Sequence, residues 1–468
     1  MHAGKIQPFQ RRPDNRLLHV NHAARAGTRI PAKAAPVEQY SNSLLRNPCD
    51  GRPHASDPRF CRMSLATLAR SPVTREAPPA PQGAPRIARV EIVRDMAAAR
   101  PHWLALQHAA CFMTPYQAFD FLDLWQRHIG AGGGVEPCIV IGFDAGNAPL
   151  FLLPLGRHAA AGLKTIEFLG GKHSNFNMGL WRADVLASIT ADDLRDVFAH
   201  LSGEADVISL GNQPLMWAGR DNPLALLPHQ PSPSFGFSGP LQRDFDALFD
   251  ERTSAVGRRK MRKKERTLAG FGDVTFARAA SDAEIRRVAE DFYTQKSARM
   301  RSIGLPDVFA AQDVRDFVTA GALTPTPAGS RLIELYTLSV GDTIVATMGG
   351  VCADGRFSAM FSSIIHDRFK TESPGEQLLV RVVRDCCERG LHTFDLGVGE
   401  ASYKSLFCDA DPMFDSDWPL TFKGRAFALA HRGFAAAKRA VKQNPALWSV
   451  IVAARRIKAR LTNKAAAS

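Results

Sequence analysis

The chain has 468 residues, 45% of them hydrophobic and 22% charged, an ordinary globular composition with length enough for two or three packed domains. Its formal charge of +13 belongs to the ends: residues 1–85 carry 13 Lys/Arg against 5 Asp/Glu, residues 423–468 carry 11 against none, and the stretch between balances at −6. A central nucleic-acid-binding fold is therefore not expected. No run of about 18 apolar residues suggests a membrane span, the first residues lack the apolar core of a secretory signal, and eight cysteines without metal or disulfide spacing, among them the neighbours Cys386 and Cys387, fit a reducing cytoplasm.

Residues 1–85 have no sustained period and end in the Pro-rich stretch 78–85, which reads as a disordered basic leader. A first lobe, 86–250, opens with alternation over Arg89–Arg94 and continues with helices near 96–110 and 116–128. Strands follow at Cys138–Phe143, Leu150–Leu155 and Thr165–Leu169, then a helix near 191–202 and a strand at Asp206–Leu210. Residues 251–270 are a linker helix with seven basic residues in the nine from Arg258 to Arg266; such density suits a solvated face or a phosphate. A second lobe, 271–424, repeats the order: strand Val274–Arg278, helices near 282–299 and 309–320, strands Leu332–Val340, Thr343–Val351 and Phe357–Ile365, a helix over 374–389 and a strand at His392–Leu396. Gly341-Asp342 is a two-residue hairpin turn. Residues 425–468 read as a basic amphipathic tail, with Trp448, Ile451 and Ile457 beside Arg455, Arg456 and Lys458, suited to an anionic membrane surface. The expected class is α/β with mixed, largely antiparallel sheets in two lobes of related topology.

The start of the 374–389 helix is the most informative local signal. Ser373 suits an N-cap, Pro374 the first helical position, and Glu376 the third residue of a capping box. The first amides of such a helix face an anion with partial positive charge, and Gly375 lets a diphosphate approach the backbone. A second constellation, Asp395, Gly397, Gly399, Glu400, Tyr403 and Lys404, follows the last strand, where α/β sheets bind ligands. In the first lobe Gly170-Gly171-Lys172-His173-Ser174-Asn175 offers a glycine pair and polar readout, making His173, Ser174 and Asn175 candidate substrate contacts.

The runs "TIVATMGGV", "SPGEQLLVRVVRDCCERG" and "FDLGVGEASYKSLF" in Thr343–Phe407 resemble the GNAT acetyltransferase domain of CelD-type cellulose-biosynthesis proteins and their FemAB-like relatives. "TPYQAFDFLDLWQRH", "APLFLLPL" and "IEFLGGKHSNF" resemble the first lobe of the same proteins. The resemblance implies two GNAT-like lobes and transfer of an acyl group from acetyl-CoA, without a metal, to an amine linked to exopolysaccharide or envelope metabolism. It places the cofactor against Phe361, Ser363, Ile365, Ser373, Gly375, Glu376 and Gln377. Glu400 is then a candidate base, Tyr403 an acid for the departing thiolate, Lys404 the lysine of the FemAB "YK" motif, and Asp395 a fourth catalytic candidate. The chain departs from the common Gln/Arg-x-x-Gly-x-Gly/Ala loop, having Lys370-Thr371-Glu372-Ser373-Pro374-Gly375 with one glycine. An aminoacyl-tRNA-dependent ligase and a non-catalytic polysaccharide-assembly partner are the alternatives. A cytoplasmic enzyme, peripheral at the inner membrane face, is the expected setting.

Overall fold

The computed structural model describes residues 86–444 apart from Ala110, His366 and the side chain of Gln443, all within one compact unit. The basic leader, Cys49 and Cys61, and the tail residues 445–468 lie outside the described residues.

Both lobes start from the same local physics. In the first, β1 (Arg89–Val93) precedes α1 (Met96–His108), capped by the Asp95 carboxylate on Ala98 N–H at 2.8 Å. Helix α2 (Phe119–Trp125) runs into a π-turn over 126–130. A meander follows: β2 (Ile139–Phe143), β3 (Pro149–Leu153), β4 (Leu155–Ala160) and β5 (Leu163–Phe168). Residues 150–155, expected as one strand, are bent at Pro154, so β3 serves one sheet and β4 another; proline supplies no N–H to a ladder. Strand β6 (Leu180–Arg182), helix α3 (Ala191–Ala199) and strand β7 (Val207–Pro214) complete the series. Strands β8 (Gln230–Pro231) and β9 (Gly236–Pro240) and helices α4 (Phe245–Arg252) and α5 (Ala255–Ala269) lead to the second lobe.

There β10 (Val274–Arg278) is followed by α6 (Asp282–Ile303), which begins on a Ser281/Glu284 capping box and ends at Gly304 with φ 65°. After α7 (Gln312–Leu323) come β11 (Glu334–Val340), β12 (Thr343–Ala353) and β13 (Arg356–Ile364). Asp354 and Gly355 both have positive φ (49° and 68°), the requirement of the tight turn joining the last two. Helix α8 (Pro374–Glu388), strands β14 (Thr393–Val398), β15 (Asp409–Asp411) and β16 (Met413–Pro419), and helix α9 (Phe422–Gln443) end the described chain.

The second sheet runs β10-β11-β12-β13-β14-β9-β15, so the strand between β14 and β15 comes from before the basic helix. Reciprocally, β16 leaves the second lobe and inserts between β7 and β8 in the order β8-β16-β7-β5-β4. The lobes expected as consecutive segments divided near 250 thus exchange one strand each. Of the other two sheets, one is β1-β2-β3-β6 with Cys111–Phe112 at its edge and the other is a two-stranded pair of Met216–Trp217 and Arg220–Asp221. Packing follows the strand period: Leu335 faces α6 and the core shared with the first lobe, while Tyr336, Leu338 and Val340 face α8. The shared core crosses the lobes through Phe121 and Phe317, whose rings meet edge to face at 5.4 Å. Helix α8 buries Leu378, Leu379, Val382, Val383 and Cys386, the face its periodicity predicts.

In the exchanged strand, a Cβ on Gly239 would stand 2.1 Å from the Phe407 carbonyl oxygen, a backbone atom that cannot yield. Gly239→Ala is expected to lower stability by roughly 2–4 kcal/mol, whereas Gly433→Ala, in open space on α9, should raise it by about 1 kcal/mol. Urea unfolding of both variants checks the pair of signs.

Candidate functional site

Strands β13 and β14 are parallel partners for three residues only, Arg356–Ser358 against Thr393–Asp395. Beyond Ser358, β13 continues on β12 while β14 continues on β9, so the pair forks. An extra residue, Met360, lies at a bulge opposite Gly349 and Gly350 and bends β13 as it leaves.

The crotch of the fork is filled by polar groups. Asp395 is fully buried; its Oδ2 accepts from the Ser358 hydroxyl and, at 3.2 Å, from Arg356 Nη1, while its Oδ1 accepts from Gly397 N–H at 3.2 Å. Burial pushes this carboxyl up, against the opposing pull of Arg356 and the Ser358 hydrogen bond. The Arg356 guanidinium lies 3.9 Å from the Trp217 ring centre. Asn175, from the first lobe, drives into the gap: its Nδ2 donates to the Ala359 carbonyl at 3.2 Å and to the Tyr116 hydroxyl at 3.0 Å. A side chain on Gly397, whose φ is 67°, would strike Asn175 at 2.5 Å. Backbone angle and space both require that glycine.

Above the wedge, the alternation of an antiparallel ladder assigns each amide of β13. Ile365 N–H bonds to the Val345 carbonyl at 2.9 Å, so Phe361, Ser363 and Ile365 turn their amides to β12. Of the stretch Phe361–Ile365 against which the cofactor is expected, the amides facing the gap are therefore those of Ser362 and Ile364. Phe361 packs its ring against Phe292 and Phe309, and the Ser363 hydroxyl sits between Thr347 (2.5 Å) and Gln295 (2.7 Å).

The second shore of the cleft is the start of α8. Pro374 takes the first helical position as expected. The capping box does not form: Ser373 lies in the left-handed region at φ 51° without a side-chain cap bond, and its hydroxyl meets Lys264 Nζ from α5 instead. The Ser373 carbonyl takes the amides of Glu376 (3.1 Å) and Gln377 (3.2 Å), and Pro374 has none, so the donor at this helix start is Gly375 N–H. Gln377 is buried, with Nε2 on the Glu372 carbonyl at 2.9 Å and an unpartnered Oε1. A Cβ on Gly375 would approach Ile364 Cγ2 to 2.9 Å. The helix start and the open edge of β13 thus converge.

Tyr403 is 37% exposed and engages Ser362; burial of its phenol end raises its pKa, opposed by that hydrogen bond, so it is protonated at neutral pH. Lys404 does not reach into the cleft. It is buried, donates to the carbonyls of Gly397 (3.3 Å) and Val398 (3.2 Å), lies over the Phe237 ring, and is pushed down to about 8 by burial. Glu400 is at the surface, accepting from Phe235 N–H at 3.2 Å and pairing with Lys442 at 3.3 Å. Asp395, Glu400, Tyr403 and Lys404 are thus neighbours in sequence that the fold sends to four different surroundings. Of the first-lobe candidates, Asn175 reaches the site. Ser174 is buried with its hydroxyl unpartnered. His173 Nδ1 accepts from Trp125 Nε1 at 3.1 Å, and burial pushes the imidazole down to about 4, leaving it neutral. Sequence reasoning missed Lys296 on α6, whose Nζ donates to the Ser362 carbonyl at 3.0 Å and so reaches the open edge of β13; no local motif marks it.

Residues 255–405 match the family model described as Acetyltransferase (GNAT) domain. That match supports an acyltransferase. No curated protein matches the chain. Among solved structures it is similar to FemX (10% identity, 70% of this chain and 96% of that one, TM-score 0.45). It is also similar to a tandem GNAT protein from the clavulanic acid biosynthesis pathway (12% identity, 71% and 99%, TM-score 0.40). A third is the C-terminal domain of a putative lysylphosphatidylglycerol synthetase from Agrobacterium fabrum (10% identity, 66% and 94%, TM-score 0.40).

Lys404 makes a pH-dependent contribution to stability. With its folded pKa at about 8 against an ordinary 10.5, the unfolded chain binds more protons between those values, so this group's contribution rises with pH across the window. Below it both states are charged and the burial penalty is complete. The stability difference between wild type and Lys404→Met should therefore shift toward the wild type from pH 8 to 10.5, as read by urea titrations along the window; parallel curves would contradict the assignment.

Proposed function

We propose that the chain transfers an acyl group from an acyl-coenzyme A to a primary amine, with the thioester held in the fork between β13 and β14. The observation that carries this reading is the convergence of the α8 start on the open edge of β13 at Gly375 and Ile364. A diphosphate set against Gly375 N–H and Lys264 Nζ would extend its pantetheine arm along Ser362 and Ile364, whose amides point into the gap. Those amides suit the oxyanion formed when the amine nitrogen attacks the thioester carbonyl. As the carbon–sulfur bond breaks, protonated Tyr403 would deliver its proton to the thiolate, while the attacking nitrogen loses a proton to solvent, from which the phenolate is reprotonated. Asp395 and Asn175 would act on the framework, holding the fork open. Lys404 would anchor the Gly397–Val398 turn that carries Tyr403.

The proposed acceptor is a nucleophilic nitrogen on a small molecule, with an amino sugar of envelope or exopolysaccharide metabolism suggested by the CelD-type resemblance. Among the described residues no helix is long and apolar enough to cross a membrane. Helix α9 exposes Phe422 (86%), Leu429 (70%) and Phe434 (66%) among lysines and arginines, which supports contact with an anionic lipid surface.

A second reading has its own observation. Helix α5 exposes Arg259, Lys260, Arg262, Lys263 and Arg266 beside the α8 start, a surface that suits the 3′-phosphate of coenzyme A and equally the backbone of an aminoacyl-tRNA. Thermal melting with acetyl-CoA and with charged tRNA separates the two donors.

Calorimetry should show coenzyme A binding to the wild type and weakened about tenfold by Lys264→Ala, the loss of one charge-assisted contact. Tyr403→Phe should lower kcat by about 10²-fold or more with little change in KM for the donor. No heat from coenzyme A or acetyl-CoA at millimolar concentration would end the acyl-CoA reading.

A further inference from the structure

Helices α6 and α8 cover opposite faces of the second sheet, since Leu335 packs toward one and Tyr336 toward the other. The proposed thioester carrier lies on the α8 side, which leaves the α6 side of the gap for the approach of the amine. Two cations stand there. Lys296 donates to the Ser362 carbonyl at 3.0 Å. That carbonyl points into the gap, because a residue in an antiparallel ladder turns its N–H and C=O the same way. Arg299 follows three residues later, a neighbour of Lys296 on the same face of α6.

Neither cation has a carboxylate of its own. Arg299 is half-buried, and among the described residues it makes no hydrogen bond and no ion pair. None of its nitrogens is sealed from solvent, so all of its donors are open to a ligand. Burial pushes its guanidinium down. Lys296 is half-buried as well, over the Phe309 ring at 5.7 Å; burial pushes it down, Asp307 draws it up and Arg299 pushes it down again. Asp307 is not its ion-pair partner, for that carboxylate is held by the Ser297 hydroxyl and by Phe309 N–H at 3.0 Å.

Other half-buried arginines of this lobe are matched: Arg356 with Asp395, Arg381 with Glu265, and Arg389 with Glu334 and Asp385. Two adjacent like charges that have given up part of their hydration without a counter-charge are costly, and an anion relieves that cost. The donors suit an oxyanion. Lys296 has two N–H groups beyond the one on Ser362, and Arg299 has its whole planar fork.

We infer, building on the acyl-transfer reading, that Lys296 and Arg299 bind an anionic group of the acceptor, so that the substrate is an amine carrying a phosphate or a carboxylate. The anion is held on α6 at the open edge of β13, and the diphosphate of the carrier is held apart from it at the start of α8.

The test compares glucosamine, glucosamine 6-phosphate and glucosaminate, three amines that differ in the group they offer these cations. Calorimetry on the full chain should detect an anionic amine at about millimolar concentration and respond to glucosamine about tenfold more weakly or less, the loss of a charge-assisted contact. A response to the phosphate, to the carboxylate or to both supports the inference and names the group. Arg299→Met and Lys296→Met should each weaken that binding about tenfold. Arg299→Met should also keep or raise the melting temperature, since an uncompensated charge is removed. Lys264→Ala, on the carrier's side, should leave the binding unchanged. No thioester takes part in these titrations, so they stand whether or not coenzyme A binds. Should Lys296→Met misfold, Arg299→Met carries the comparison, having no partner to lose. Equal responses to the three amines, no response to either anionic one, or undiminished binding in folded Arg299→Met would overturn the inference.

Discussion

The structure turns on a parallel strand pair that stops after three residues. Parallel neighbours ordinarily continue, because each unpaired amide or carbonyl buried away from water costs free energy. Here separation is sustained by replacing the missing ladder with side chains: Asn175 takes the Ala359 carbonyl, Lys296 takes that of Ser362, and Asp395 gathers Ser358, Arg356 and Gly397 at the branch point. Without those substitutes β13 would have no reason to leave β14, and the amides of Ser362 and Ile364 would face a strand rather than a gap. The lobe that supplies Asn175 is thus part of the second lobe's architecture.

The loop that bears Asn175 also bears Asn177, whose Nδ2 donates to the Gly211 carbonyl at 3.1 Å where β5 and β7 part after two parallel pairs, so each asparagine holds one fork. What differs is what meets the fork from the following helix. The α8 start has proline, glycine and the nearby ammonium of Lys264; the α3 start has a threonine cap and two aspartates. One arrangement of strands therefore carries opposite polarity in its two copies, decided by a handful of residues at a helix end.

Much of this was legible in the sequence, for reasons that can be named. Element order followed from periodicity and turn chemistry, as with Gly341-Asp342, and the buried face of α8 from its helical spacing. Phase within β13 was not legible: whether Phe361 or Ser362 turns its amide to the gap depends on a bulge at Met360 and on ladder register, both fixed by β12. Nor was Ser373 readable as a left-handed residue, since the Lys264 that engages it is 109 positions away. The Asp395–Lys404 run shows how little sequence proximity says about where side chains end. Proximity in sequence suggested one catalytic group, while a strand end, a glycine turn and a short helical turn rotate those side chains into separate surroundings. Strand exchange leaves no local mark: β9 and β16 are short, carry no pattern that the sequence reading picked out as a strand, and take their places from the sheets that receive them.

That exchange has a consequence for biosynthesis. A polypeptide leaves the ribosome from its N-terminus, yet β7 has no neighbour on one side until residues 413–419 have been made. From the completion of β7 at Pro214 until Met413 is made, the early lobe must wait with a raw sheet edge, a period in which such edges invite aggregation. The same interlock means that the gene could not be split between its halves without leaving each product one strand short. Through two short strands the two lobes form a single unit that is inherited whole.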